Sequence, residues 1–157
     1  MTFRRTARLF PLLLLPLLAA CTDLRATFEI KTSAHALSLI RITGMPWEKK
    51  AKYAIVAARM PDCMRRHPMP EAGLNAKVEV YSPGNDAWIL RQEERLFVVE
   101  TRTCEGFAKL DKVPDDGLGV LMGAFEMRKD VLVFSAAPKP QPAPAAAPPG
   151  EEFPATK

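Results

Sequence analysis

From residue 76 onward, apolar and polar side chains alternate. Ala76-Lys77-Val78-Glu79-Val80-Tyr81 has the period of two that sends every second side chain to one face of a half-buried strand. Pro83-Gly84-Asn85-Asp86 supplies turn chemistry before Trp88-Ile89-Leu90, and a second polar break, Gln92-Glu93-Glu94, leads into Leu96-Phe97-Val98-Val99-Glu100-Thr101. These three segments read as an antiparallel meander. Phe28 to Thr32 and Leu37 to Thr43 predict two further strands. Phe125 to Met127 and Val131 to Phe134 flank the turn Arg128-Lys129-Asp130 as a closing hairpin.

Two stretches carry mixed signals. Pro46 to Met60 sets Trp47, Ala51, Ala54, Ile55 and Ala58 at helical spacing, with proline in the first turn and Pro61 as a stop. Yet Tyr53-Ala54-Ile55-Val56-Ala57-Ala58 also suits a buried strand, and the surrounding strands need neighbours, so strand is the preferred reading. An α+β fold with a helix at 46–60 is the alternative. In Asp116 to Gly123, the spacing of Leu118, Leu121 and Met122 predicts a short helix capped by Asp115 or Asp116. The expected fold is mainly β, a small antiparallel sheet or sandwich-like domain with one or two short helices and one disulfide.

The two ends of the chain differ from this middle. Arg4, Arg5 and Arg8 precede the apolar run Leu9 to Ala20, an order of charged, apolar and small residues that reads as an export signal. The run is too short for the roughly 20 residues of a spanning helix and contains Pro11 and Pro16. Leu18-Ala19-Ala20-Cys21 resembles the lipobox of bacterial lipoproteins. The resemblance is confined to the first 21 residues; it implies cleavage between Ala20 and Cys21 and attachment of lipid to Cys21. In the enterobacterial sorting rule that comes with it, aspartate directly after the cysteine retains a lipoprotein in the inner membrane. Thr22 stands there, so the expected location is the outer membrane, facing the periplasm.

The chain then divides into a signal at 1–20, a lipid-anchored tether at 21–26, a β domain at 27–135 and a tail at 136–157. In the tail 14 of 22 residues are Ala or Pro, too few large apolar groups to offset the entropy of ordering. A disordered, solvated tail is the preferred reading; fully extended as polyproline it would reach about 70 Å, and the alternative is a spacer or docking strand for an envelope or cell-wall partner. Phe153 is the one large apolar residue it offers.

Charge changes once the signal is set aside. Of 22 basic residues three lie in it, leaving 19 against 18 acidic, so the formal charge falls from +4 to +1. A nucleic-acid partner is not expected. With Cys21 committed to lipid, Cys63 and Cys104 have only each other, and an oxidising periplasm favours their bridge. Closing so long a loop stabilises the fold by about 4 kcal/mol in the chain-entropy model.

Candidate chemistry centres on the segment from Met60 to Met69. Met60, Met64, His67 and Met69 are soft ligands suited to copper. An oxidised Cys63 and the neighbouring Arg65 and Arg66 oppose a cation there, so a disulfide-tethered loop without metal is preferred. Arg65, Arg66 and His67 form a second candidate, a contact for an anionic partner such as a lipid headgroup or lipopolysaccharide phosphate. Trp47, Trp88 and Phe107 read as core, or else as an aromatic patch for a protein partner. With only His35 and His67, and no nucleophile, metal-pair or phosphate-loop motif, catalysis and cofactors are not expected. The expected protein is a lipid-anchored envelope component with a binding or structural role.

Overall fold

Ten strands follow from the alternating pattern, and the computed structural model describes residues 22–138 with the exception of position 46. They are β1 (Thr22–Thr32), β2 (His35–Thr43), β3 (Lys50–Arg59), β4 (Cys63–Gly73), β5 (Val78–Gly84), β6 (Ala87–Gln92), β7 (Arg95–Glu100), β8 (Phe107–Leu110), β9 (Val120–Arg128) and β10 (Val131–Ala136). One sheet has the order β1-β2-β3-β4 and the other β10-β9-β5-β6-β7-β8, with every pairing antiparallel. Among the described residues there is no helix.

The period of two fills the space between the sheets. Leu37 and Leu39, Tyr53 and Ile55, Val78 and Val80, Trp88 and Leu90, Phe97 and Val99, and Phe125 join one core. Aromatic rings close the side where β1 meets β10. Phe28 stacks on Phe134 with centroids 4.6 Å apart and meets Trp88 edge-on, while Phe125 meets Phe134 edge-on. Across the other edges, β4 is tied to the strand pair β7–β8 by the Cys63–Cys104 disulfide.

Turn chemistry places the hairpins as their sequences require. Asn85 and Asp86, and again Lys129 and Asp130, all have positive φ, the pattern of a two-residue turn whose twist matches that of the flanking strands. Two sets of loops result. The far end of the domain holds the turns at 33–34, 60–62 and 85–86 and the loop at 101–106; the near end holds the start of β1, the loop at 44–49 and the turns at 74–77, 93–94 and 129–130.

One open reading is settled and three expectations change. The strand reading of Tyr53 to Ala58 holds: β3 lies between β2 and β4, and no helix occupies 46–60 among the described residues. The short helix expected at 116–123 is absent. Gly117, Gly119 and Gly123 all adopt positive φ, which no helical turn accommodates, and β9 starts at Val120. The segment from Cys63 to Met69 is not a loop but most of β4. The tether expected at 21–26 is also not one, because β1 begins at Thr22 and pairs it with Thr43. Residues 1–21 and 139–157, with the signal, the lipobox cysteine and most of the tail, lie outside the described residues.

Candidate functional site

At the far end the disulfide is only one of several ties. Cys63 opens β4 and Cys104 sits in the 101–106 loop with Cα atoms 5.9 Å apart. Four residues along β4, His67 turns inward and its Nε2–H donates to the Cys104 carbonyl at 2.8 Å. That bond fixes the tautomer of the ring, which stacks on Phe107 of β8, itself stacked on Phe97. A covalent bridge, a hydrogen bond and a ring stack thus hold the same loop.

Glu100 organises that loop from its other side. Its carboxylate accepts from the backbone N–H groups of Arg102, Thr103, Glu105 and Gly106 and from the Thr103 hydroxyl. Burial pushes the carboxyl up, but the hydrogen bonds from Thr103, Arg102 and Gly106 outweigh it and hold the pKa at about 2. Gly106 is required here, since a Cβ at that position would lie 2.5 Å from Cγ of Glu100.

A second polar cluster is buried beside the first. The Thr101 hydroxyl, fully enclosed, donates to the Asp86 carbonyl at 3.2 Å. It accepts from the Trp88 indole N–H at 3.3 Å and from His35 Nε2–H at 3.0 Å. The Asp86 carboxylate pairs with Arg59 at 3.0 Å. Desolvation lowers the pKa of His35, with the Arg59 guanidinium acting the same way, so the ring is neutral at pH 7. Thr101, Trp88, His35 Nε2 and the Arg59–Asp86 pair thus tie the 85–86 turn to β2, β3 and β6.

The near end is different in kind. Met45 and Trp47 lie in the 44–49 loop with 49% and 75% of their surfaces exposed, and Glu48 folds back to accept from the Gly44 N–H at 3.1 Å. Beside them Ile42, Gly44, Glu48, Lys49, Lys50, Lys52 and Glu71 line an open groove of about 390 Å³. Among the described residues, no carboxylate pairs with the ammonium groups of Lys49, Lys50 or Lys52. Deeper in, the Tyr53 hydroxyl donates to the Gly73 carbonyl and Arg41 Nε to the Leu74 carbonyl. Gln92 is fully buried, and among the described residues neither of its amide atoms has a partner.

The residues singled out in the sequence scatter. Alternation along β4 sends Met64 outward, 66% exposed, and His67 and Met69 inward, while Met60 lies in the preceding turn. Met60, Met64, His67 and Met69 therefore do not converge on one ion. Arg65, Arg66 and His67 do not form one anionic contact either. Arg65 pairs with Glu105 at 3.2 Å, Arg66 faces the opposite side of the strand, and His67 is buried. Trp47 and Trp88 are separated as surface and core, and Phe107 packs between His67 and Phe97. Among the described residues no group of His, Cys, Asp and Glu is placed to hold a metal. Glu100, Thr101 and the lysine groove were missed from sequence; the pairing of Trp47 with Lys49 and Lys50 in one short polar loop was the available signal for the last.

No family model, curated protein or solved structure compared with the chain matches it.

Proposed function

We propose that the protein is a lipid-anchored component of the bacterial cell envelope, held through Cys21 in the outer membrane and facing the periplasm. Its folded domain serves a binding or structural role rather than catalysis. The observation that carries this reading is the sequence Leu18-Ala19-Ala20-Cys21 after a basic, apolar leader. The Cys63–Cys104 bridge agrees with an oxidising compartment. The polar groups of the far end, among them His35, His67, Glu100 and Thr101, are consumed in holding loops, which supports a scaffold over an active centre.

The test is the fate of Cys21. The native chain should sediment with membranes and incorporate labelled fatty acid. Cys21→Ser should incorporate no label and should either remain as uncleaved precursor, held by its leader, or appear as soluble protein. Label incorporation undiminished in Cys21→Ser overturns the lipid anchor.

A further inference from the structure

We propose that the near end of the domain is a membrane-docking surface, in which Met45 and Trp47 enter the headgroup region of an anionic phospholipid leaflet and Lys49, Lys50 and Lys52 meet its phosphates. The inference rests on the lipid-anchor reading and adds an orientation to it.

Position comes first. Thr22 opens β1 and pairs with Thr43, so the start of β1 lies beside the end of β2, where the 44–49 loop begins. The strand starts immediately after Cys21, which leaves no spacer for the domain to lift away on. A lipid on Cys21 therefore brings this loop, before any other turn of the near end, to the bilayer.

The loop has the side chains for that place. Trp47 is 75% exposed whereas Trp88 is 6% exposed, so this chain buries one indole and leaves the other in solvent. An indole has an apolar body and one polar N–H, the combination that favours the boundary between headgroups and acyl chains. Met45 adds a second apolar group on the same loop. The adjoining groove sets three lysines without ion-pair partners against Glu48, which is turned toward the Gly44 N–H, and Glu71, a net charge of +1. The long lysine stems let the ammonium groups reach phosphates while the loop sits lower.

Weak intrinsic contact suffices under these conditions. The lipid turns docking into an intramolecular event with an effective concentration in the millimolar range or above. The earlier candidate fails the same criterion: Arg66 aligns through Val56 and Ser38 with Thr27, five residues along β1 from Thr22, about 17 Å farther from the bilayer.

The experiment uses the chain from Cys21 to Lys157, made without its leader and with the internal disulfide formed. Its remaining thiol is coupled to a maleimide lipid in vesicles of phosphatidylcholine, with or without an equal share of phosphatidylglycerol. The emission of Trp47 is isolated as the difference between the native chain and Trp47→Phe, a surface change that leaves the core intact. On anionic vesicles that difference spectrum should shift to the blue and be quenched by lipids brominated on their acyl chains. Replacing Lys49, Lys50 and Lys52 by Gln should weaken docking about fivefold per lysine. A Trp47 emission on anionic vesicles identical to that of the uncoupled protein, and unquenched, overturns the proposal. Quenching undiminished in the lysine variant overturns the charged half of it. The lipid is attached chemically, so these outcomes are independent of whether the cell lipidates Cys21, which fatty-acid labelling of Cys21→Ser decides.

Discussion

At the far end of the domain the buried polar side chains each end on a partner, whereas at the near end an indole and three ammonium groups face solvent with none among the described residues. The far end joins four loops by a disulfide, by His67 on the Cys104 carbonyl and by Thr101 as a three-way junction. Such saturation costs adaptability and returns a fixed loop geometry. The near end leaves its groups available, which a surface needs in order to meet something else. The contrast assigns rigidity and contact to opposite ends of one small core.

Breaking the far end should have the largest effect. Replacing Cys63 and Cys104 together by Ala is expected to lower stability by about 4 kcal/mol, read as a fall in the urea midpoint at constant slope. A loss near zero would mean that His67 and the ring stack hold the loop unaided. Next in size is Thr101→Val, which leaves the Trp88 and His35 N–H groups buried without an acceptor. About 2 kcal/mol is expected, with a change in near-ultraviolet circular dichroism from Trp88.

Acid should dissect the same end in two steps. His35 has a folded pKa below that of the unfolded chain, so the stability it contributes is present above about pH 6.5 and is lost as pH falls through its folded value. Glu100 is depressed to about 2, so its contribution is present above the ordinary carboxyl value and is lost between about pH 4.5 and 2. Amide exchange at 102–106 should accelerate in that lower window, and Glu100→Gln should remove the dependence. The smallest effect is expected at the near end. Trp47→Ala should leave the unfolding free energy within about 0.5 kcal/mol of the native value, because three quarters of its surface is exposed to solvent. A larger loss would show that the loop is structural and erase the contrast between the ends.

Much of the fold was written in the alternation. The segments at 28–32, 37–43, 78–81, 88–90, 96–100, 125–127 and 131–134 are strands because each has an apolar face to bury and turn residues beside it. β4 escaped notice for a physical reason. Its sequence, Cys-Met-Arg-Arg-His-Pro-Met-Pro-Glu-Ala-Gly, has two prolines, which a central strand excludes, but β4 is an edge of its sheet, where a missing N–H goes unfelt. The segment 116–123 misled in the opposite way. Leu118, Leu121 and Met122 have helical spacing, yet Gly119 packs so close to the backbone of Ser82 and Pro83 that a Cβ would lie 2.2 Å from an oxygen. Long-range approach, which spacing does not encode, decided that segment. The candidate chemistry fared worse, because grouping Met60 to Met69 by proximity along the chain ignores that successive side chains of a strand point to opposite faces.

The placement of β1 and β10 has a mechanical meaning. Both strands run from the near end toward the far end, β10 beginning at its turn with β9 and β1 at Thr22. A chain fixed before Thr22 and pulled beyond Ala136, away from that point, is loaded along the axes of its two outermost paired strands. The hydrogen bonds of the β1–β2 and β9–β10 ladders lie perpendicular to that pull and share it at once, in shear, instead of opening one after another like a zip. A domain threaded this way can carry tension between what holds its first strand and what draws on its last.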